Sequence, residues 1–470
     1  MKDLYNIYPR LPIALQNLAC NVEGWQIQRR RYSDAFFELL SDVEARTHLN
    51  RVQCEEFRDQ RLASFIQQVV AIVPFYRSRF REWGVDPSHL RCLSDLRQLP
   101  VIDKGVVQEH SDELSPDGLQ LSPRIKLHTS GTTGSGFHFW ATLGAEREQW
   151  AVWWRYRRWH GINLDTWCGY FGGRSVVPVS QSSPPFWRVN SPARQILFSA
   201  YHMTHVNLMS YISELRRRQP PWLHGYPSVL VLIAAFILET GADLGYHVRW
   251  ITTGAENLLP QQVELIQKAF GVKPVQHYGM AEAVANFSEC ELGRLHTDED
   301  FSAVEFIPTH NENTYRVIGT NFTNPATALV RYDTGDIVTL FNGVCPCGRP
   351  GRLVERVDGR QEDYVVLQNG ARIGRMDHIF KDLLSIREAQ IYNERPGKIV
   401  YRIVRGKDYG PQDEQHLLEE TKLRLGDLVS IGIEYVDRIE RSRTGKLRFV
   451  VSGIPDGRTV GSENVAIHTS

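Results

Sequence analysis

The sequence lacks an excess of charge of either sign, because lysine plus arginine and aspartate plus glutamate number 54 each. This balance provides no global field that would favour nucleic acid or an anionic membrane surface. The sequence also lacks a long apolar run. Its longest candidate, residues 229–238, is far shorter than the roughly 18 apolar residues that a membrane-spanning helix needs. The first residues include an acid and lack a signal-peptide pattern, so we expect a cytoplasmic protein without membrane insertion.

Cysteine is scarce and scattered, with seven in 470 residues. An odd, dispersed set in a chain of this length argues against a disulfide framework. Cys290, His296, Cys345 and Cys347 nevertheless offer the thiolates and imidazole that favour tetrahedral Zn²⁺. The Cys-Pro-Cys spacing is tighter than the usual two-residue gap. The sequence therefore leaves two interpretations open, a structural zinc site and a set of free cysteines.

Alternating helix and strand patterns predict the main fold. Residues 227–239 and 260–270 are predicted helices, each with proline near its start and glycine after its end. Residues 248–252 and 274–278 are predicted strands. Helix and strand alternating at this spacing predict parallel strands with right-handed crossovers, and hence an α/β fold.

Sequence patterns in the rest of the chain predict three further structural regions. Residues 1 to about 100 are predicted to be mostly helical, and about 295–358 to form a small β-rich part. After Gly359 the chain changes to strand and helix patterns around a strong Asn369-Gly370 hairpin signal. We expect a large N-terminal α/β domain, residues 1–358, and a small mobile α+β C-terminal domain, residues 359–470.

One loop is made entirely of glycine and hydroxylated residues, from Thr129 to Gly136. Such a backbone turns tightly and presents several N–H and O–H donors, which suit a phosphate. The spacing matches neither the common nucleotide loop nor Gly-x-Gly-x-x-Gly. Taken alone, such a loop is more often a surface turn than a phosphate site.

Acidic residues follow the predicted strands. Glu256 and Glu282 come just after two neighbouring strands, at the edge where parallel sheets bind ligands. Asp333 and Asp336 flank another turn, where they could fix the turn or accept hydrogen bonds from a sugar diol. The strand ends are therefore candidates for a nucleotide site.

An aromatic and basic segment, residues 150–159, resembles a nucleic-acid contact in composition. Trp150, Trp153 and Trp154 are spaced i, i+3 and i+4, however, so they share one helix face. We interpret this face as core packing, and we expect no nucleic-acid partner.

Five motifs in order resemble those of the adenylate-forming enzymes: the glycine-rich loop, residues 278–282, 332–336, 359–363 and 443–446. The closest resemblance is to the phenylacetate-coenzyme A ligase branch, and within it to proteins encoded with capsular polysaccharide genes. It covers nearly the whole chain. Three positions depart from the family pattern, namely Phe137 in the loop, Glu362 at the hinge, and Met280-Ala281 before Glu282.

This resemblance implies residue roles. The β- and γ-phosphates of ATP would be bound by the loop residues Thr129, Ser130, Gly131, Thr132, Thr133 and Gly134. The adenine would be bordered by Gly254, Ala255, Glu256, His277, Tyr278 and Gly279. Asp336 would accept from the ribose, Arg360 would lie near the same sugar or phosphate, and Glu282 would hold Mg²⁺. Lys446 would contact the substrate carboxylate and the α-phosphate, so Lys446, Glu282 and Thr132 are the implied catalytic residues.

The implied reaction is adenylation of a small-molecule carboxylic acid, followed by transfer of the acyl group to coenzyme A. A second hypothesis is transfer to an amine in surface polysaccharide biosynthesis. A third, a nucleotide-binding protein without chemistry, is disfavoured because Lys446 and Glu282 are both present. The sequence identifies neither the acid nor the oligomeric state.

Overall fold

The computed structural model describes residues 7–116, 124–128, 138–172, 174, 176–178, 180–310, 312–360, 365–368, 372–373, 379, 385–406, 409–425, 429–441 and 447–454. The chain divides into two compact units. The first comprises Met1–Glu362 with Glu440–Leu447, and the second comprises Asp363–Ile439 with Arg448–Ser470. Within the described residues, every helix is too short or too polar to cross a bilayer.

The first hundred residues are mostly helical, as predicted. They form α1 (Ile13–Arg31), α2 (Asp34–Ala45), α3 (Arg51–Ile72) and α4 (Pro74–Trp83). Asn50 begins α3 with a capping box, because its side chain accepts from the Gln53 backbone N–H while the Gln53 side chain accepts from the Asn50 N–H. Gly84 ends α4 in a left-handed conformation that glycine adopts at little cost.

Two strands and two helices lie next along the chain. After α5 (Lys104–Glu109), β1 (Arg124–His128) pairs antiparallel with β2 (His138–Thr142), and α6 (Leu143–Trp159) follows directly. The Thr142 hydroxyl caps α6 by accepting from the Ala145 backbone N–H. The predicted phosphate loop between β1 and β2 lies outside the described residues.

A twelve-stranded sheet organises the first unit. Its strands are β3 (Cys168–Phe171), β4 (Trp187–Asn190), β5 (Gln195–Phe198), β6 (Trp222–Gly225), β7 (Trp250–Gly254), β8 (Val275–Gly279), β9 (Asn286–Glu289), β10 (Leu295–Thr297), β11 (Ala303–Pro308), β12 (Thr314–Thr320), β13 (Tyr332–Leu340) and β14 (Leu353–Arg360). They are ordered β11-β12-β13-β14-β10-β9-β8-β7-β6-β3-β5-β4. Strands β5, β3, β6, β7 and β8 are parallel to one another, which confirms the predicted parallel α/β sheet.

The β-rich segment continues this sheet rather than forming a sheet of its own. Strand β9 pairs antiparallel with β8, and β10 to β14 extend from β9 through further antiparallel pairs. The sequence indicated short strands here but not their neighbours, because strand pairing depends on contacts between residues far apart in the chain.

Helices cover both faces of the parallel strands. On one face lie α7 (His205–Arg218), α8 (Pro227–Thr240) and α9 (Pro260–Phe270), which pack apolar side chains against Phe171, Leu223 and Ile251. Helices α2 and α6 pack on the other face, against Cys168 and Trp222. The predicted core role of the α6 tryptophans is confirmed, since Trp154 is buried and Trp150 packs against the same cluster.

The second unit has its own sheet and core. Strands β17 (Ile386–Arg395), β18 (Lys398–Arg405), β19 (Ser430–Tyr435) and β20 (Val450–Ser452) are ordered β19-β18-β17-β20, and α10 spans Pro411–Leu425. A short antiparallel pair, β15 (Val365–Val366) and β16 (Arg372–Ile373), precedes them. The predicted Asn369-Gly370 turn between β15 and β16 lies outside the described residues. The predicted small α+β part is confirmed.

Candidate active site

Three predicted site residues, Gly254, Ala255 and Glu256, lie at the end of β7. Gly254, the last residue of β7, lies in register with His277 of β8. Ala255 has φ 68°, a left-handed conformation that is uncommon for a residue with a Cβ. The Glu256 carboxylate accepts a hydrogen bond from the Ser228 backbone N–H (3.2 Å) in the first turn of α8. An acid at this position complements the free N–H groups of a helix start.

Glu256 also contacts the basic segment of residues 441–448 near the C-terminus, of which the structure describes 441, 447 and 448. Its Oε1 accepts a hydrogen bond from the backbone N–H of Leu447, at 2.8 Å. Arg441, the first residue of this segment, donates from Nη1 to the Ser228 hydroxyl (2.9 Å). Burial lowers the pKa of Arg441, and the nearby Glu256 partly offsets that effect. Lys446 itself lies outside the described residues, but the residue after it is held against Glu256.

Tyr278 and Asp336 come together from β8 and β13. The Tyr278 hydroxyl donates to Asp336 Oδ2 at 2.6 Å, and the Tyr278 ring stacks on Phe287 with centroids 4.5 Å apart. The turn predicted at Asp333 to Asp336 is instead an irregularity within β13, where the pairing register with β12 shifts and Gly335 has φ 74°. Asp333 Oδ1 accepts from the Gly335 N–H (3.0 Å), while Oδ2 pairs with Arg316. The two aspartates therefore have different partners, and the predicted role of Asp336 as an acceptor for a sugar diol stays a prediction.

His277 is enclosed by aromatic rings of α6. Its ring centroid lies 5.6 Å from Trp153 and 5.2 Å from Tyr156. Burial, reinforced by the positive charge of Arg157, lowers the pKa of His277 to about 3, so the imidazole is neutral at physiological pH. His277 thus lines the strand end as a neutral polar ring.

Gly279 is required by a close approach that the sequence did not reveal. A Cβ at this position would lie 2.6 Å from Asn286 Oδ1 and 2.8 Å from His277 Cε1. Asn286 is held there because its Oδ1 accepts from Trp153 Nε1 at 3.0 Å. Only glycine leaves room for both neighbours.

Glu282 lies in the turn after β8, and side-chain amides hold the backbone of this turn. Asn321 Nδ2 donates to the Glu282 carbonyl at 3.1 Å, and Gln149 Nε2 donates to the Met280 carbonyl at 2.8 Å. Neither amide was predicted, since neither lies in a recognisable motif. The predicted residues Thr129 to Gly134 and the Arg360 side chain are outside the described part.

The four predicted metal ligands converge in the first unit. Cys290, His296, Cys345 and Cys347 place one ligand atom each within 4.8 Å of one another. Cys290 Sγ lies 3.7 Å from Cys345 Sγ, and Cys347 Sγ lies 3.3 Å from His296 Nε2. His296 Nδ1 lies 3.1 Å from the Pro350 carbonyl oxygen, so donation to that oxygen leaves Nε2 free to bind a metal.

Known proteins resemble the chain over most of its length. Protein CapK of Staphylococcus aureus is 26% identical over 456 residues, which cover 95% of this chain and 99% of CapK. The phenylacetate-coenzyme A ligase of Thermus thermophilus is 25% identical over 358 residues, covering 68% and 73% of the two chains. The model of the CapK C-terminal domain family matches residues 365–453.

A solved structure shows the same fold. The 2-hydroxyisobutyryl-CoA ligase, in its postadenylation state with 2-HIB-AMP, superposes with a TM-score of 0.67 at 18% identity. The match covers 87% of this chain and 91% of that ligase. In sequence and in fold the protein is thus similar to adenylate-forming ligases. Its likeness to CapK runs through both units.

Proposed function

We propose that the protein is an AMP-forming ligase that converts a carboxylic acid to its acyl-adenylate and then passes the acyl group to coenzyme A. One observation contributes most to this proposal, the hydrogen bond from the Leu447 N–H to Glu256. Leu447 follows Lys446 in the sequence, and Glu256 follows β7 at the carboxyl ends of parallel strands, where α/β sheets bind ligands. The phenylacetate-coenzyme A ligase relatives support the same reaction class.

The first half-reaction joins two anions. A carboxylate oxygen attacks the α-phosphorus of ATP, the bond to the bridging oxygen breaks, and pyrophosphate leaves. The Lys446 ammonium neutralises charge on the carboxylate and the α-phosphate as the bond forms. Asp336, oriented by Tyr278, accepts from the ribose hydroxyls, and neutral His277 borders the adenine together with Gly254. Residues 129–134 hold the β- and γ-phosphates.

Magnesium suits the donor set on this edge of the sheet. The Glu282 carboxylate follows β8 in a turn whose backbone is fixed by Asn321 and Gln149, and Mg²⁺ prefers oxygen ligands of this kind. When bound, the ion would neutralise charge on the departing pyrophosphate. Glu282 is the residue that would hold it.

In the second half-reaction the coenzyme A sulfur attacks the acyl carbon and AMP leaves with its phosphate oxygen. We propose that residues 359–470 form a mobile domain which delivers Lys446 for the first half-reaction and withdraws it for the second. Gly359, at φ 108°, begins the proposed hinge at residues 359–363, because glycine tolerates large backbone changes.

A second candidate acceptor is an amine of a surface-polysaccharide precursor. The likeness to CapK across 95% of the chain favours it. In this version the first half-reaction is unchanged, and the nitrogen rather than the thiol attacks the adenylate. Acceptors can be compared by following AMP release after adenylation in the presence of coenzyme A or of an amino sugar.

Replacing Lys446 tests the proposal. We expect Lys446→Ala to reduce acid-dependent ATP–pyrophosphate exchange about 100-fold or more, the scale of losing one well-placed charge-stabilising group. Lys398→Ala removes an i,i+4 surface partner of Glu394 and should leave exchange unchanged. A panel of aryl, aliphatic and dicarboxylic acids identifies the substrate. Equal exchange by Lys446→Ala and the parent would contradict the proposed mechanism.

We also propose a structural Zn²⁺ bound by Cys290, His296, Cys345 and Cys347. Tetrahedral zinc with Zn–S bonds of about 2.3 Å separates two thiolate sulfurs by about 3.8 Å. The 3.7 Å between Cys290 and Cys345 matches this separation. Four protein ligands leave no open position for substrate, so the ion would stabilise the fold rather than take part in catalysis.

A further inference from the structure

Arg157 is a buried cation inside a cage of tryptophans. Its side chain projects from α6, and the residue is 8% exposed. The guanidinium carbon lies 4.9 Å from the ring centroid of Trp154, 5.3 Å from that of Trp222 and 5.7 Å from that of Trp150. Indole faces attract a cation, but they supply no hydrogen-bond acceptor in the plane of the guanidinium.

Arg157 differs from the other buried arginines in the described part of the chain. Arg155, two residues earlier, pairs with Asp298 (2.7 Å) and Asp300 (2.8 Å). Arg58 and Arg331 also pair with acids, and Arg188 donates to glutamine side chains and backbone carbonyls. Among the described residues we find no carboxylate paired with Arg157, and its buried Nε has no hydrogen-bond partner. Burial without such partners is costly and lowers the pKa of Arg157.

The groups beside Arg157 are polar but neutral. His224 of β6 lies in register with Tyr170 of β3 and Thr252 of β7, on the sheet face that α6 covers. Its Nδ1 lies 2.8 Å from Thr252 Oγ1. Burial and the charge of Arg157 lower the pKa of both His224 and His277 to about 3. The cluster of Arg157, His224, Thr252 and His277 thus has one positive charge, several polar atoms and no acid.

We propose that Arg157 binds a second carboxylate of the acid substrate, so that the enzyme activates one end of a dicarboxylic acid. This inference rests on the proposed function, because the acid would lie between α6 and the sheet, beside His277 of β8, and the same strand ends at Gly279, a proposed nucleotide-site residue. An arriving carboxylate would supply the acceptor that the guanidinium lacks, in a planar geometry suited to two parallel hydrogen bonds. The rings around it would exclude water and strengthen the ion pair.

Paired substrates and paired variants test the inference. A series of α,ω-dicarboxylic acids and their monomethyl esters is compared by acid-dependent ATP–pyrophosphate exchange. For the preferred chain length we expect kcat/KM of the diacid to exceed that of the ester about 10- to 100-fold in the parent enzyme. Arg157→Met should abolish this preference. The matched control is Arg158→Met, since the neighbouring Arg158 pairs with Glu44 instead and should leave the preference intact.

Melting temperature provides a readout besides activity. The preferred diacid should raise the melting temperature of the parent and of Arg158→Met, but not of Arg157→Met. Without ligand, Arg157→Met should melt no lower than the parent, because it removes a buried charge that has no ionic partner. Arg157→Lys should retain part of the diacid preference.

The outcomes separate the two proposals. Equal exchange with diacid and ester in the parent overturns the dicarboxylate site while the ligase function stands. A lower melting temperature for Arg157→Met with an unchanged diacid preference shows that Arg157 is only structural. If no acid supports exchange, but diacids raise the melting temperature through Arg157, the anion site stands and the ligase function fails.

Discussion

The Glu256 side chain, at the end of β7, connects the sheet to the basic segment of residues 441–448. Its two carboxylate oxygens accept from the backbone N–H groups of Ser228 and Leu447, residues more than 200 positions apart in sequence. Glu256 is the only acidic acceptor described at the start of α8. Its removal would leave the Ser228 and Leu447 N–H groups without this acceptor. The residue was predicted to border adenine, and the structure adds that it holds the backbone beside Lys446.

We expect Glu256→Ala to slow adenylation about 10-fold or more, because Lys446 would be less well positioned. A positioning role should appear mainly as a lower kcat in ATP–pyrophosphate exchange. Glu264→Ala, an exposed acid on α9, is the matched control. Unchanged kcat for Glu256→Ala would rule out this role.

At the scale of elements, helix α6 packs along strand β8, from Gln149 at the Met280 carbonyl to Tyr156 at the Val275 carbonyl. Trp153 holds Asn286, Asn286 lies against Gly279, and the rings of Trp153 and Tyr156 enclose His277. The helix therefore shapes the site as well as the core. A substitution that separates α6 from β8 should disturb both.

We expect Gly279→Ala to destabilise the protein by about 1–3 kcal/mol, because the new methyl group would overlap Asn286 and His277. The measurement is denaturant unfolding, with the melting temperature as a second probe. Gly410→Ala is the control, since a Cβ at Gly410 would have no neighbour within 4 Å. Equal stability of the two variants would show that Asn286 moves aside freely.

The four-ligand cluster joins the β9–β10 turn to the loop between β13 and β14. Elemental analysis should find one zinc per chain, and removing it with a chelator should lower the melting temperature. Cys347→Ser should lose the metal, whereas Cys92→Ser, which lies elsewhere in the chain, should keep it. Purified protein without stoichiometric zinc would refute the proposal.

For the whole molecule, the half-buried histidines His224 and His277 link stability to pH. The folded pKa of His224 is about 3, below its ordinary value of 6.5, so the unfolded chain binds more protons as the pH falls below 6.5. The stability that neutral His224 contributes is present above pH 6.5 and is lost on acidification towards pH 3. A matched variant such as His224→Gln should remove this dependence.

We therefore expect the parent to lose about 1–2 kcal/mol more unfolding free energy than His224→Gln between pH 6.5 and pH 5. Urea unfolding at the two pH values measures the difference, and His310→Gln, in an exposed turn, serves as the control. Parallel losses in the parent and His224→Gln would mean that His224 titrates normally in the folded state.

Much of this organisation was predictable from local patterns. Helix α9 spans Pro260–Phe270 as predicted, and β7 and β8 end within two residues of the expected positions, because proline and glycine mark helix ends and apolar periodicity marks strands. The parallel sheet followed from the alternation of helix and strand. These features depend on residues close together in the chain, so sequence was enough to locate them.

Other features required the folded chain. Three features bring together residues that are distant in the sequence. The β-rich strands join the parallel sheet, Asn286 contacts Gly279, and Arg157 lies among three tryptophans without a carboxylate partner in the described part of the chain. Such contacts depend on which strands become neighbours and which side chains are buried between them. The arrangement that forms is the one that minimises the free energy of the whole chain. No local window contains them, which is why a tryptophan-rich helix predicted only as core also lines a candidate binding site.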